Sequence, residues 1–272
     1  MRKLKSKREI GLMRRAGLAV WRAHQIAAPM VRPGVTTGEI DAAVEAFFRE
    51  IGAEPLFKNY PHAQAGRPAF PGVTCMSVNE EVVHGIPGDR VLREGDIVSI
   101  DTGCRLDGWC GDSALTHPVG MIGPEVTKLL RVTQGTLELA IELLGKKSRW
   151  SEVAGEMAQY VADNGFSTVE CFVGHGIGQE MHEDPQVPNF ASRSLRSSGD
   201  FKIEPGLVIA VEPMVNMGTK RVKSLPDHWT QSTLDGKPSA HFEHTIAVTE
   251  DGPWALTAAP TPEEEAAGQL PW

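Results

Sequence analysis

The sequence predicts a fold of mixed helices and strands, as one large α/β domain or two fused halves, and three observations bear on that prediction. Segments of helical periodicity alternate with short apolar strand segments along the 272 residues. Gly95-Asp96-Ile97-Val98-Ser99-Ile100-Asp101 and Gly206-Leu207-Val208-Ile209-Ala210-Val211-Glu212 share a glycine, an apolar strand and an acid six residues beyond the glycine. His84-Gly85-Ile86 and His175-Gly176-Ile177 repeat in the same order. Two halves facing each other would bring both strand ends to a central cleft. A chance match between short strings is the alternative.

Taken in order, residues 6–31 read as a helix kinked at Pro29 and ended by Pro33-Gly34. A second helix starts at the capping-box sequence Thr36-Thr37-Gly38-Glu39 and stops at Gly52. Residues 54–72 form a long loop of the kind that rims sites. A strand over 73–78 leads to His84, and the stretch from Gly95 to about Pro118 reads as a β-hairpin. Gly123-Pro124 opens a helix that Gly145 closes, and Ser151 is the expected N-cap of the next. Strands are expected over 169–173, 207–211 and 243–248, with loops over 191–200 and 216–238, the latter holding Trp229. Domain limits follow: one catalytic unit over 1–257, with halves at about 1–145 and 146–257, and a disordered acidic tail over 258–272.

The hairpin is the most informative stretch. Asp107-Gly108 is the dipeptide a two-residue type I′ turn prefers, because both central residues need positive φ. With that turn, Leu106 faces Trp109, Gly103 faces Asp112 and Asp101 faces Ala114. Asp101 and Asp112 then become diagonal neighbours on one face, their Cβ atoms roughly 7–8 Å apart. Two carboxylates aimed at one point repel unless a cation sits between them or one takes a proton. Solvated turn acids are the plain alternative.

Composition excludes several classes. A net charge of −8 argues against nucleic acid as the substrate, although residues 1–14 are locally basic. No apolar stretch approaches the roughly 18–20 residues of a membrane span, and a signal-peptide core is absent, so a cytoplasmic protein with no membrane partner is expected. Cys75, Cys104, Cys110 and Cys171 show no metal-binding spacing and read as reduced thiols.

Collected together, Asp101, Asp112, His175, Glu212 and Glu243 are four carboxylates and an imidazole, an oxygen-rich donor set suited to a pair of divalent ions. Four carboxylates balance two dications. Among the nine histidines, His84 and His182 read as substrate contacts, His24 as structural, and His62, His117, His228 and His241 as ordinary.

These motifs, Asp101 with Asp112, Gly174-His175-Gly176-Ile177-Gly178 with His182, Val211-Glu212-Pro213-Met214-Val215-Asn216, and Phe242-Glu243-His244-Thr245, resemble the type I methionine aminopeptidases over about residues 10–249. The resemblance implies an α+β, pseudo-two-fold pita-bread fold, a curved antiparallel sheet covered by helices around a central dinuclear metal cleft. It implies two divalent ions (Co, Mn, Fe, Zn or Ni), with Asp101 chelating one, Asp112 and Glu243 bridging both, and His175 with Glu212 completing the second. It implies removal of the initiator methionine from nascent polypeptides whose second residue is small, by a compact monomer working near the ribosome. Glu212 would handle the proton, His182 steady the oxyanion and His84 contact the scissile amide, while Tyr60, Phe70, Cys75, Met181 and Trp229 would line the methionine pocket.

Four features depart from that family's pattern: Met181 where an aromatic is usual, Gly103 where Thr is frequent, and longer segments over 61–69 and 191–200. Aminopeptidase P and prolidase share the ligand set, but resemble this chain only after a large N-terminal domain, whereas the first ligand here arrives at residue 101. A silent relative used only for binding would be expected to have lost ligands.

Overall fold

In the computed structural model, which describes residues 3–192, 195–268 and 270–272, helices cover antiparallel sheets. Helix α1 (Lys7–Ala27) begins with a capping box between Ser6 and Glu9, and a 3₁₀ turn (Ala28–Met30) follows it. Thr36 and Glu39 form the expected capping box of α2 (Thr37–Glu50). The first half then supplies β1 (Glu54–Pro55), β2 (Thr74–Val78), β3 (Glu81–Val83), β4 (Ile97–Leu106) and β5 (Trp109–Pro118). Next come α3 (Pro124–Leu144) and α4 (Trp150–Asp163). The second half adds β6 (Ser167–Thr168), β7 (Gly174–Gly176), β8 (Glu183–Val187), β9 (Val208–Val211), β10 (Met214–Asn216) and β11 (Val222–Ser224). It closes with β12 (Gln231–Thr233), β13 (Ser239–His241), β14 (His244–Thr249), β15 (Gly252–Ala255) and α5 (Pro262–Ala266).

Strands β1, β4 and β2 lie in that order with β5 paired to β4, and β15-β14-β9-β7-β8 forms the largest sheet. Two smaller sheets, β13-β10-β6 and β11-β12-β3, complete the set, and every pairing among these strands is antiparallel. Each half has its own apolar core. Ala16, Val20, Ile40 and Phe48 of α1 and α2 pack on Met76 and Ile100. Leu129, Val132, Val153 and Met157 of α3 and α4 pack with Trp150 on Ile209, Val211 and Ile246. Burying one such aliphatic side chain contributes about 1.5–3 kcal/mol.

The echoed strands are β4 and β9, and each sits inside its own sheet rather than at an edge. A seam joins the halves: Glu243 N–H donates to Ala114 O (2.8 Å), Asp112 N–H to Thr245 Oγ1 (3.0 Å), and Ser113 Oγ to Glu243 O (2.7 Å). Strand ends bearing acids therefore meet across it.

Several expectations are corrected. Helix α4 is capped at Arg149 rather than Ser151, because the Asp200 carboxylate, 49 residues away, accepts from both Ser151 N–H and Ser151 Oγ. Residues 169–173 are not a strand; β6 and β7 flank them. The 216–238 loop contains β11 and β12, and the 191–200 loop holds a π-helical turn (Leu195–Gly199) with Leu195 buried, residues 193 and 194 lying outside the described set. The tail expected to be disordered instead forms α5, capped by Thr261 with Glu264, and Trp272 stacks on Trp21 at 6.0 Å. None of the described helices is long and apolar enough to cross a membrane, and the four cysteines are free thiols.

Candidate metal centre and active site

The hairpin has the register its turn chemistry demands. Asp107 and Gly108 both have positive φ (51° and 80°), Leu106 pairs with Trp109, Gly103 with Asp112, and Asp101 with Ala114. Gly103 leaves room for its partner: a Cβ there would come within 2.9 Å of Asp112 Oδ1. The Asp112 main chain is held on both sides by Thr245 Oγ1, which accepts from its N–H and donates to its carbonyl at 2.9 Å.

The second half supplies the opposing groups. His175 lies in β7 beside Ala210 of β9, Glu212 directly follows β9, and Glu243 sits between β13 and β14. The glycines around His175 allow close strand packing: a Cβ on Gly174 would lie 2.3 Å from Ala210 O. Asp112, His175 and Glu243 each offer a ligand atom, all within 4.8 Å of one another. Glu212 Oε1 lies 3.7 Å from His175 Nε2. His175 Nδ1 is 3.0 Å from Gly176 O, so it carries the proton and donates, which leaves the Nε2 lone pair free to bind a metal.

No lysine or arginine among the described residues lines the cavity these groups share. Asp101 Oδ1, Asp112 Oδ1 and Glu243 Oε1 are buried without a hydrogen-bond partner. Burial, with Asp112 and Glu212 beside it, holds the Asp101 carboxyl well above the usual carboxylate range. Burial does the same to Glu212 and Glu243, reinforced by Asp112, and pushes Asp112 to about 7. Burial also lowers His175 to about 4, keeping it neutral and able to act as a ligand. Orphaned buried acids with no cation beside them are an incomplete set. A metal cation would supply the missing charge, and these donors fit one.

All twelve site candidates line one cavity of about 250 Å³: Tyr60, Phe70, Cys75, His84, Asp101, Asp112, His175, Met181, His182, Glu212, Trp229 and Glu243. At one side Phe57, Phe70, Cys75 and Met181 form a buried apolar cluster closed by Trp229, whose indole N–H donates to Pro68 O at 3.0 Å. Tyr60 OH lies 2.9 Å from His182 Nδ1. His84, at φ 60°, meets Phe172 edge-on at 5.4 Å. Phe57, Val83, Phe172, Val173 and His241 also line the cavity, though the sequence reading did not place them there. Sequence signals existed for most of them: Val83 adjoins His84, Phe172-Val173 runs into the His175 motif, and His241 stands two residues before Glu243.

Fold and site together define a metallohydrolase of the pita-bread class. The chain belongs to Metallopeptidase family M24, whose family model matches residues 11–250. Methionine aminopeptidase 1 of Bacillus subtilis is 46% identical over 248 residues, covering 91% of this chain and 96% of that protein. The crystal structure of methionine aminopeptidase from Thermotoga maritima superposes with a TM-score of 0.88 at 39% identity, over 95% of this chain and all (100%) of that one. The prolidase from Pyrococcus furiosus shares the fold at TM-score 0.73 and 21% identity, with 66% of its chain covered.

Proposed function

We propose that the protein removes the N-terminal methionine from polypeptides whose second residue is small, by hydrolysing the first peptide bond. One observation carries this reading: the apolar cluster of Phe57, Phe70, Cys75 and Met181 opens onto the orphaned carboxylates within a single cavity. Aromatic rings and a thiol suit an unbranched thioether. A side chain seated there would hold its own carbonyl against the acids.

Asp101, Asp112, His175, Glu212 and Glu243 would hold two divalent ions, of the Co, Mn, Fe, Zn or Ni type. Bound there, the ions acidify water at neutral pH and polarise the scissile carbonyl. Glu212 receives the proton of the attacking water and passes it to the leaving amine. Tyr60 OH lies 2.9 Å from His182 Nδ1; with the hydroxyl as donor, the His182 proton sits on Nε2, where it would donate to the developing oxyanion. His84 contacts the scissile amide, and Tyr60, Phe70, Cys75, Met181 and Trp229 enclose the methionine side chain.

We read the substrates as nascent chains near the ribosome, in the cytosol, met by a monomer whose catalytic unit spans 1–257. The test is peptide hydrolysis by metal-loaded protein. Met-Ala-Ser should release free methionine, an Xaa-Pro peptide should not be cut, and Asp112→Asn should abolish release. Cleavage of the Xaa-Pro peptide instead would move the protein to prolidase-type specificity.

A further inference from the structure

We propose that His241 is a positioning residue for Glu212: its imidazole holds Glu212 Oε2 and so keeps Glu212 Oε1 turned toward His175. This rests on the reading that Glu212 is both ligand and proton carrier.

The geometry around Glu212 is two-sided. Its Oε1 lies 3.7 Å from His175 Nε2, and its Oε2 lies 3.8 Å from His241 Nε2. The His241 side chain is 3% exposed, lines the cavity, and its Nε2 is buried with no hydrogen-bond partner. A buried imidazole nitrogen left unpaired costs stability, so packing alone does not account for a histidine here. With its proton on Nε2, the imidazole would offer a donor beside a carboxylate that must keep one orientation.

Both main chains are already fixed. His241 pairs with Met214, donates its N–H to Thr116 Oγ1 (2.9 Å) and accepts from the same hydroxyl at its carbonyl (2.7 Å). Thr116 lies on β5, the strand that carries Asp112. Asn189 Nδ2 donates to Glu212 O at 3.0 Å. With both backbones pinned, side-chain movement of about 0.6–1 Å turns the 3.8 Å approach into a hydrogen bond of ordinary length. Such contacts commonly tighten only in the loaded site. A carboxylate with one oxygen engaged this way presents the other to the His175 side of the cavity, as the acids near metals generally require.

Two variants test the proposal, His241→Leu and His241→Gln. Three measurements are needed: melting of the metal-free protein, Mn²⁺ affinity by calorimetry, and kcat and KM on Met-Ala-Ser. With leucine, the metal-free protein should melt no lower than wild type, Mn²⁺ should bind about 10–100-fold more weakly and kcat should fall by a similar factor. KM should stay within about twofold, since substrate contacts are untouched. Glutamine, whose amide N–H reaches where Nε2 sits, should recover most of both losses. A leucine variant that binds Mn²⁺ and turns over like wild type would overturn the proposal. So would one that melts earlier and loses both properties without rescue by glutamine, because that is the pattern of a structural residue. Wild-type protein that bound no Mn²⁺ would instead remove the underlying reading of Glu212, and this proposal with it.

Discussion

The Arg14 cluster and the carboxylate cavity are both buried, but only the first is complete as it stands. Arg14 is 4% exposed and uses all five N–H groups: Nε and Nη2 grip the two Glu264 oxygens (2.8 and 2.7 Å), Nη1 donates to Leu256 O and Ala258 O, and Nη2 to Ala259 O. In the cavity, three carboxylates each leave an oxygen unpaired, and no lysine or arginine among the described residues lines it. Polar groups that satisfy one another hold a fold together, whereas polar groups that repel in a dry site are waiting for a ligand. The two clusters should therefore respond to mutation with opposite signs.

The largest effect belongs to the cavity. Asp112→Asn should lower methionine release at least about 1000-fold, or about 4 kcal/mol of barrier, and chelation of the wild type should do the same until a divalent ion is restored. Without metal, however, the variant should be more stable than wild type by about 1–2 kcal/mol, because a neutral amide replaces a carboxyl whose ionisation burial opposes and whose charge raises the neighbouring acids. Urea titrations of both metal-free proteins measure this. A metal-free variant clearly less stable than wild type would mean that the acids support the fold by contacts their geometry does not reveal.

Arg14→Ala should act the other way. It strips three carbonyls and Glu264 of their donors, and the expected loss is about 3 kcal/mol in urea unfolding. Turnover per folded molecule should hold near the wild-type value, since Arg14 lies outside the cavity lining. A fall in kcat without a fall in stability would blur the line between the two clusters.

How much of this contrast the sequence carried depends on the range of the forces involved. The hairpin was legible to the residue, because Asp107-Gly108 sets the turn and a period of two then assigns every face. Thr36 with Glu39, and Gly145 after α3, are equally local signals. Ser151 misled because its polar partner, Asp200, arrives from elsewhere in the chain. The tail misled for a related reason: its acidic composition resembles disorder, yet Thr261 and Glu264 repeat the Thr36 and Glu39 pattern. What gives that short helix a place is Arg14, some 250 residues away. His241 read as ordinary although its spacing from Glu243 was visible, because a shared face counts only once the extended run through that residue is known.

The smallest effect isolates the charge in the complete cluster. Hydrogen bonds from Arg14, then burial opposing them and the Thr261 backbone assisting, hold the Glu264 carboxyl below its usual value of 4.5. The folded protein thus binds fewer protons at this site than the unfolded chain. Its contribution is full above the unfolded value and fades as pH falls through the lower folded one. Glu264→Gln should therefore cost about 1–2 kcal/mol at pH 7, and the gap between variant and wild type should narrow as pH falls below about 4. Paired urea titrations at several pH values read this directly. A gap that persisted undiminished in acid would mean that Glu264 acts through its shape and packing, and that the guanidinium is satisfied by the three carbonyls without it.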